Sequence, residues 1–183
     1  MKSKNIFLSV VALFIGTLLH AQIYMGKTCE ISFFSDGPIE DISAKNTTAK
    51  PILNTSTNDI AVKITIKGFH FEKALMEEHF NEKYMESDKF PYSTFSGKIN
   101  EKIDYTKEGT SKVTVTGKLS LHGVEKERTI DGTITIKDGE IFIESKFNVA
   151  LKDHKIEIPT LVAQNIAEIV EVTIKSTLTE FKK

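Results

Sequence analysis

Apolar and polar residues alternate with a period of two over most of the second half of the chain. Val113, Val115, Gly117, Leu119 and Leu121 share one face, and Lys112, Thr114, Thr116, Lys118 and Ser120 share the other, which is the pattern of a strand with one dry and one wet side. The alternation returns at Ile130, Gly132, Ile134 and Ile136, at Ile141, Ile143, Ser145, Phe147, Val149 and Leu151, and at Val170, Val172, Ile174, Ser176 and Leu178. Shorter stretches read the same way around Cys29, Ile31 and Phe33, across 39–53, at Ile60, Val62, Ile64 and Ile66, and at Phe95, Ile99 and Ile103, for a total of eight strands. Turn residues separate them: Ser35-Asp36-Gly37-Pro38, Asn58-Asp59, Glu108-Gly109, His122-Gly123 and Asp138-Gly139. Such short links between consecutive strands predict hairpins and an antiparallel meander.

One stretch departs from this period. Over 72–86, Leu75, Met76, Phe80, Tyr84 and Met85 recur at helical spacing among Glu and Lys residues, and Ser87-Asp88 with Pro91 ends the run. This predicts one amphipathic helix between strands three and four, with a single further helical turn at 161–166. Half-buried antiparallel strands either close into a barrel or stack as a sandwich. Hairpins without a long crossover favour an all-β, eight-stranded antiparallel barrel, wide enough to enclose a ligand where the interior side chains leave room.

The first 21 residues carry Lys2 and Lys4, an apolar run over 6–19, and Ala21 as a cleavage-site residue. This reads as a signal peptide, so the mature chain is expected to be one domain over 22–183, periplasmic or secreted. A membrane anchor is the weaker reading, because the run is short and no basic stop-transfer cluster follows it. Removing the segment leaves 22 basic against 25 acidic side chains, a balance that offers nucleic acid no concentrated basic face. The single cysteine excludes an internal disulfide, so stability must come from the core. No later stretch is long and apolar enough to span a bilayer as a helix. A homodimer stays open at this stage.

Small residues sit mid-strand on the apolar faces, at Gly97, Gly117, Gly132, Ser145 and Ser176. Glycine in a strand marks either a bend or a need for room; if room is the reason, valine at Gly117 or Gly132 should leave folding intact. Candidate chemistry is sparse. His79 and Glu82 stand three apart on the helix, which makes two metal ligands and no site; no metal or cofactor is expected. His122 and His154 have no local partner, and Cys29 on an apolar face reads as core. Hydrolase, metalloprotease and phosphate-loop motifs are lacking. Asn46-Thr47-Thr48 and Asn54-Thr55-Ser56 fit the glycosylation pattern, but chance accounts for it in a Thr- and Asn-rich stretch.

Three segments resemble the YceI-like family: HFNEKYMESDKFPYSTFSGKI over 79–99, GKLSLHGVEKERTIDGTITI over 117–136 and FNVALKDHKIEIP over 147–159. The resemblance implies an extended lipocalin-like barrel in the bacterial periplasm, without catalytic residues, that binds polyisoprenoids in its lumen. Of the family's Arg-Ser-Asp near the late strand, this chain has Leu151-Lys152-Asp153 and keeps only the aspartate. The expected ligand is a polyprenyl chain, a related quinone precursor or a fatty acyl chain. Face assignment places Phe33, Ile64, Phe95, Ile99, Val115, Leu119, Ile134, Phe147, Val149, Val172 and Ile174 on the lining, with Leu75, Met76, Phe80 and Tyr84 at the mouth. Two other readings remain: an envelope protein with a solid barrel, and an enzyme using His79, His122 or His154 as acid or base.

Overall fold

The computed structural model describes residues 22–36, 41–158 and 167–182. The signal segment, Gly37-Pro38, Ile39 and the helical turn expected at 161–166 lie outside the described residues. Ten strand segments occupy eight positions around a closed antiparallel barrel. The first position is β1 (Ile23–Ser35), and the second is shared by β2 (Ile42–Asn46) and β3 (Ile52–Asn54), which pair with successive halves of the same β1 edge. The third is shared by β4 (Asp59–Thr65), paired with β3, and β5 (His70–Phe71), paired with β2. Then follow β6 (Tyr92–Ile99), β7 (Gly109–Leu121), β8 (Val124–Lys137), β9 (Glu140–Ala150) and β10 (Ile169–Glu180). β10 returns to β1, from Tyr24↔Glu180 to Phe34↔Glu171, and completes the ring. Below, the end where β1 begins is the lower end, and the end where it finishes is the upper end.

Local chemistry explains the two divided positions. Asn46 is fully buried; its Oδ1 accepts from the backbone N–H and the hydroxyl of Thr48, both at 2.9 Å, while its Nδ2 donates to the Thr65 carbonyl at 2.9 Å. This turn halts β2, and Pro51, without an N–H, suits the gap before β3. It also accounts for the glycosylation-like pattern, since a buried Asn46 is a structural residue and Asn54 makes a similar turn with Ser56 at 3.0 Å. In the third position a 3₁₀ turn over Ile66–Gly68 shifts the phase of the strand. Ile64 is buried before the turn, Ile66 at its start and Phe69 after it.

The tight hairpins are those the turn residues predict. His122 and Gly123 have φ of 51° and 72°, and Asp138 and Gly139 have 53° and 77°, the paired positive values of two-residue hairpin turns. Gly97 and Gly117 face each other across β6 and β7. A Cβ on Gly117 would stand 2.4 Å from the Ser96 carbonyl oxygen and 2.5 Å from the Gly97 Cα. Close backbone approach, not lumen space, therefore explains this pair, and the expectation that valine at Gly117 leaves folding intact is corrected.

The helix is shorter than its periodicity suggests. α1 spans Ala74–His79 and continues as a π-helical turn over Phe80–Tyr84, with the Met85 N–H reaching back to the Phe80 carbonyl at 2.8 Å. Glu86, at φ 42°, ends it. As expected, this element lies between the third and fourth strand positions, at the upper end. Ile103, expected in the fourth strand, instead sits beyond β6 and packs against the lower core. That core is a cluster of Tyr24, Leu53, Ile99, Val113, Ile134, Ile141 and Leu178. Tyr105 joins it from the loop after β6, donating to Asn58 Oδ1 at 3.0 Å, and burial pushes its phenol up to about 12.

Candidate functional site

Above this core the inward faces enclose a cavity of about 380 Å³. All eleven positions assigned to the lumen by alternation line it, as do Met76, Phe80 and Tyr84 of the lid. Leu75 is not among the lining residues and is 61% exposed. Met76 and Phe80, four apart, share the inward stripe of the short helix, and Leu75 is turned about 100° away from Met76. The extra residue of the π turn helps bring Tyr84 and Met85 onto the same lining.

Sequence reasoning missed Phe69 and Phe71 as lining residues. They follow the 3₁₀ turn, where extrapolating the phase of β4 would face them outward. With Phe33 and Phe80 they form one aromatic cluster, with ring centroids 5.0–5.8 Å apart. Tilted, edge-on and offset contacts of this kind stabilise beyond area alone. The spacing of Phe69 and Phe71 by two was the available signal. Phe69 is buried among Cys29, Ile31, Ala44, Ala49 and Ile64.

The polar lining is chemically quiet. Ser93 donates to the Ser120 carbonyl at 2.8 Å, Ser145 to the Asp131 carbonyl at 2.6 Å and Ser176 to the Thr28 carbonyl at 2.7 Å, while Ser35 Oγ accepts from the Ala167 N–H at 3.0 Å. These hydroxyls bond to the wall itself, so small residues thin the wall without making the lumen polar. Burial pushes the Cys29 thiol up, against a hydrogen bond with Ser176 that acts the other way. A protonated thiol is a poor nucleophile. Burial likewise raises the Tyr84 phenol.

The histidines do not form one site. His79 lines the cavity, whereas His122 and His154 are not among its lining residues. His122 Nε2 meets Glu86 Oε2 at 3.0 Å, its Nδ1 donates to the His154 carbonyl at 3.1 Å, and its ring lies edge-on to Phe90 at 4.6 Å. His154 is 1% exposed and its Nδ1 donates to the Val124 carbonyl at 3.1 Å. Burial, with a smaller push from Arg128, holds its pKa below the ordinary imidazole value. These contacts tie the end of the lid and the 3₁₀ turn after β9 (Leu151–His154) to the β7–β8 hairpin. Among the described residues, no group of three or more His, Cys, Asp or Glu side chains is placed to hold a metal ion. Nor is any helix among them long and apolar enough to cross a membrane.

A closed eight-position barrel with a helical lid and an apolar interior cavity defines a lipocalin-like protein. The chain belongs to the YceI-like family, whose domain model matches residues 20–178. Similar solved structures agree on the fold. A polyisoprenoid binding domain from Saccharophagus degradans implicated in plant cell wall breakdown has a TM-score of 0.74 at 12% identity, covering 88% of this chain and 99% of that one. BcnA of Burkholderia cenocepacia has a TM-score of 0.67 at 13% identity, covering 81% and 95%. The YCEI protein of Campylobacter jejuni has a TM-score of 0.53 at 20% identity, covering 100% and 92%. No curated protein sequence matches the chain.

Proposed function

We propose that this protein is a binding protein, not an enzyme, and that it holds one long apolar lipid, a polyprenyl or acyl chain, inside the barrel. The observation that carries the reading is an apolar cavity inside the closed ring of strands, whose lining serines bond to its own wall. The volume lies in the range of small-molecule sites, and each 100 Å² of apolar ligand surface taken out of water contributes about 2.5 kcal/mol. Family membership and the likeness to a polyisoprenoid binding domain support the same reading. The signal-like pattern of residues 1–21 supports work outside the cytoplasm, where such a lumen would sequester or ferry lipid across an aqueous space. Organic extraction of protein purified from its native host, followed by mass spectrometry, should yield a stoichiometric lipid. An empty extract, together with no uptake of geranylgeraniol by the stripped protein, would reject the proposal.

A further inference from the structure

The barrel wall is unzipped along part of one seam. The β8–β9 ladder runs from Lys137↔Glu140 to Gly132↔Ser145 and stops there. Beyond that fork β8 still pairs with β7 as far as Leu121↔Val124, and β9 with β10 as far as Ile169↔Ala150. Two strand edges, 124–131 and 146–150, thus share no ladder in the upper half, beside the cavity. Side chains bound the gap. Ser145 bonds to Asp131 at the fork, and His154 pins the 3₁₀ turn to Val124 at the top.

Between those two ties, one cation spans the gap. Arg128, the only arginine in the chain, donates to the Asn148 carbonyl. Its guanidinium also lies 5.6 Å from the ring centroid of Phe147, a lining residue. Strand alternation places Arg128 on the same face as Ile130 and Ile134, but its side chain reaches across the seam to β9 and is not itself part of the cavity lining. Among the described residues no carboxylate forms an ion pair with it. The wall is thin at the fork, because Asp131, Gly132, Thr133 and Ser145 line both the cavity and a depression on the outer surface. A half-buried guanidinium spending its charge on a neutral carbonyl suits an anionic group, which it can grip with two parallel hydrogen bonds.

We propose that the open seam between β8 and β9 is a headgroup site, where Arg128 exchanges its bond to Asn148 for the carboxylate or phosphate of an amphiphile whose chain lies in the lumen. This rests on the lipid-binding reading above, and the test separates the two. Affinities of the lipid-stripped protein would be measured for palmitate against hexadecanol, and for geranylgeranyl phosphate against geranylgeraniol. The anionic member of at least one pair should bind about tenfold tighter than its alcohol, the gain expected of one charge-assisted contact. The pair with the larger preference distinguishes an acyl carboxylate from a prenyl phosphate. The preference should shrink as salt is raised, disappear in Arg128→Gln and partly survive in Arg128→Lys. Equal binding of acid and alcohol by the unaltered protein would overturn the headgroup site while leaving the lipid reading intact, and that comparison needs no variant to fold. A preference that persists in Arg128→Gln would overturn it as well. Failure of all four ligands to bind would overturn both.

Discussion

At the lower end of the barrel, Tyr24, Leu53, Ile99, Val113, Ile134, Ile141 and Leu178 meet in one cluster, of which Ile99, Val113 and Ile134 also form part of the cavity wall. In the upper half the same kind of alternating strand surrounds a void. Inward faces alone do not decide between the two, because both halves present aliphatic residues. What differs is the filling and the fastening. Below, Tyr105 enters from a loop and fills space; above, Gly132, Ser145 and Ser176 leave the wall thin, and the lid contributes Phe80 to a small aromatic cluster. The lower end supplies stability, and the upper half gives some up to remain hollow.

Variants can break that contrast in both directions. Leu53→Ala, at a fully buried position of the lower core, should cost about 2–5 kcal/mol, read as a drop in the urea midpoint. Gly117→Val should destabilise by about 1–3 kcal/mol through overpacking, because the Ser96 carbonyl and Gly97 leave no room for a side chain; an unchanged melting temperature would refute the close-approach reading. Val62→Trp points a large ring into the cavity and should cost less stability than Leu53→Ala. It should weaken geranylgeraniol binding about tenfold, a loss of about 1.4 kcal/mol. Undiminished uptake would show that the lipid lies elsewhere.

Smaller effects sharpen the picture at the lid. The pKa of His154 is depressed in the folded protein by burial, while the unfolded chain titrates near about 6.5. The unfolded state therefore binds more protons. The stability this adds is present above about pH 6.5 and is lost as pH falls through the folded value. Urea midpoints should decline between pH 7.5 and pH 5, and decline less steeply in His154→Gln. Leu75→Ser should change stability by less than about 0.5 kcal/mol and leave lipid uptake unaltered, as befits an exposed position off the lining.

Alternation made the ring legible. Period-two strands with Asp138-Gly139 and His122-Gly123 turns lead directly to consecutive antiparallel neighbours, and from there to every lining residue assigned from β1, β4 and β6 to β10. The features that escaped involve changes of phase or of partner. Phe69 and Phe71 follow a 3₁₀ turn that reverses the inward face, and Leu75, one position from Met76, lies off the inward stripe of the short helix. The division of the second strand depends on Asn46 reaching Thr65, 19 residues away. The β8–β9 seam leaves no local trace at all, because its strands read as regular on either side of the gap. In the sequence Arg128 is one more polar residue of a strand, and only its contacts with Asn148 and Phe147 give it a place.

The ring is completed by the first and last strands, with Tyr24 beside Glu180. No partial product of the ribosome can therefore close it, and the final strand must be made before the first one finds its second neighbour. Pairings this distant in sequence are slow to form. Until then β1 keeps a bare hydrogen-bonding edge that other chains can occupy. Loss of β10 would open the cylinder along its full height.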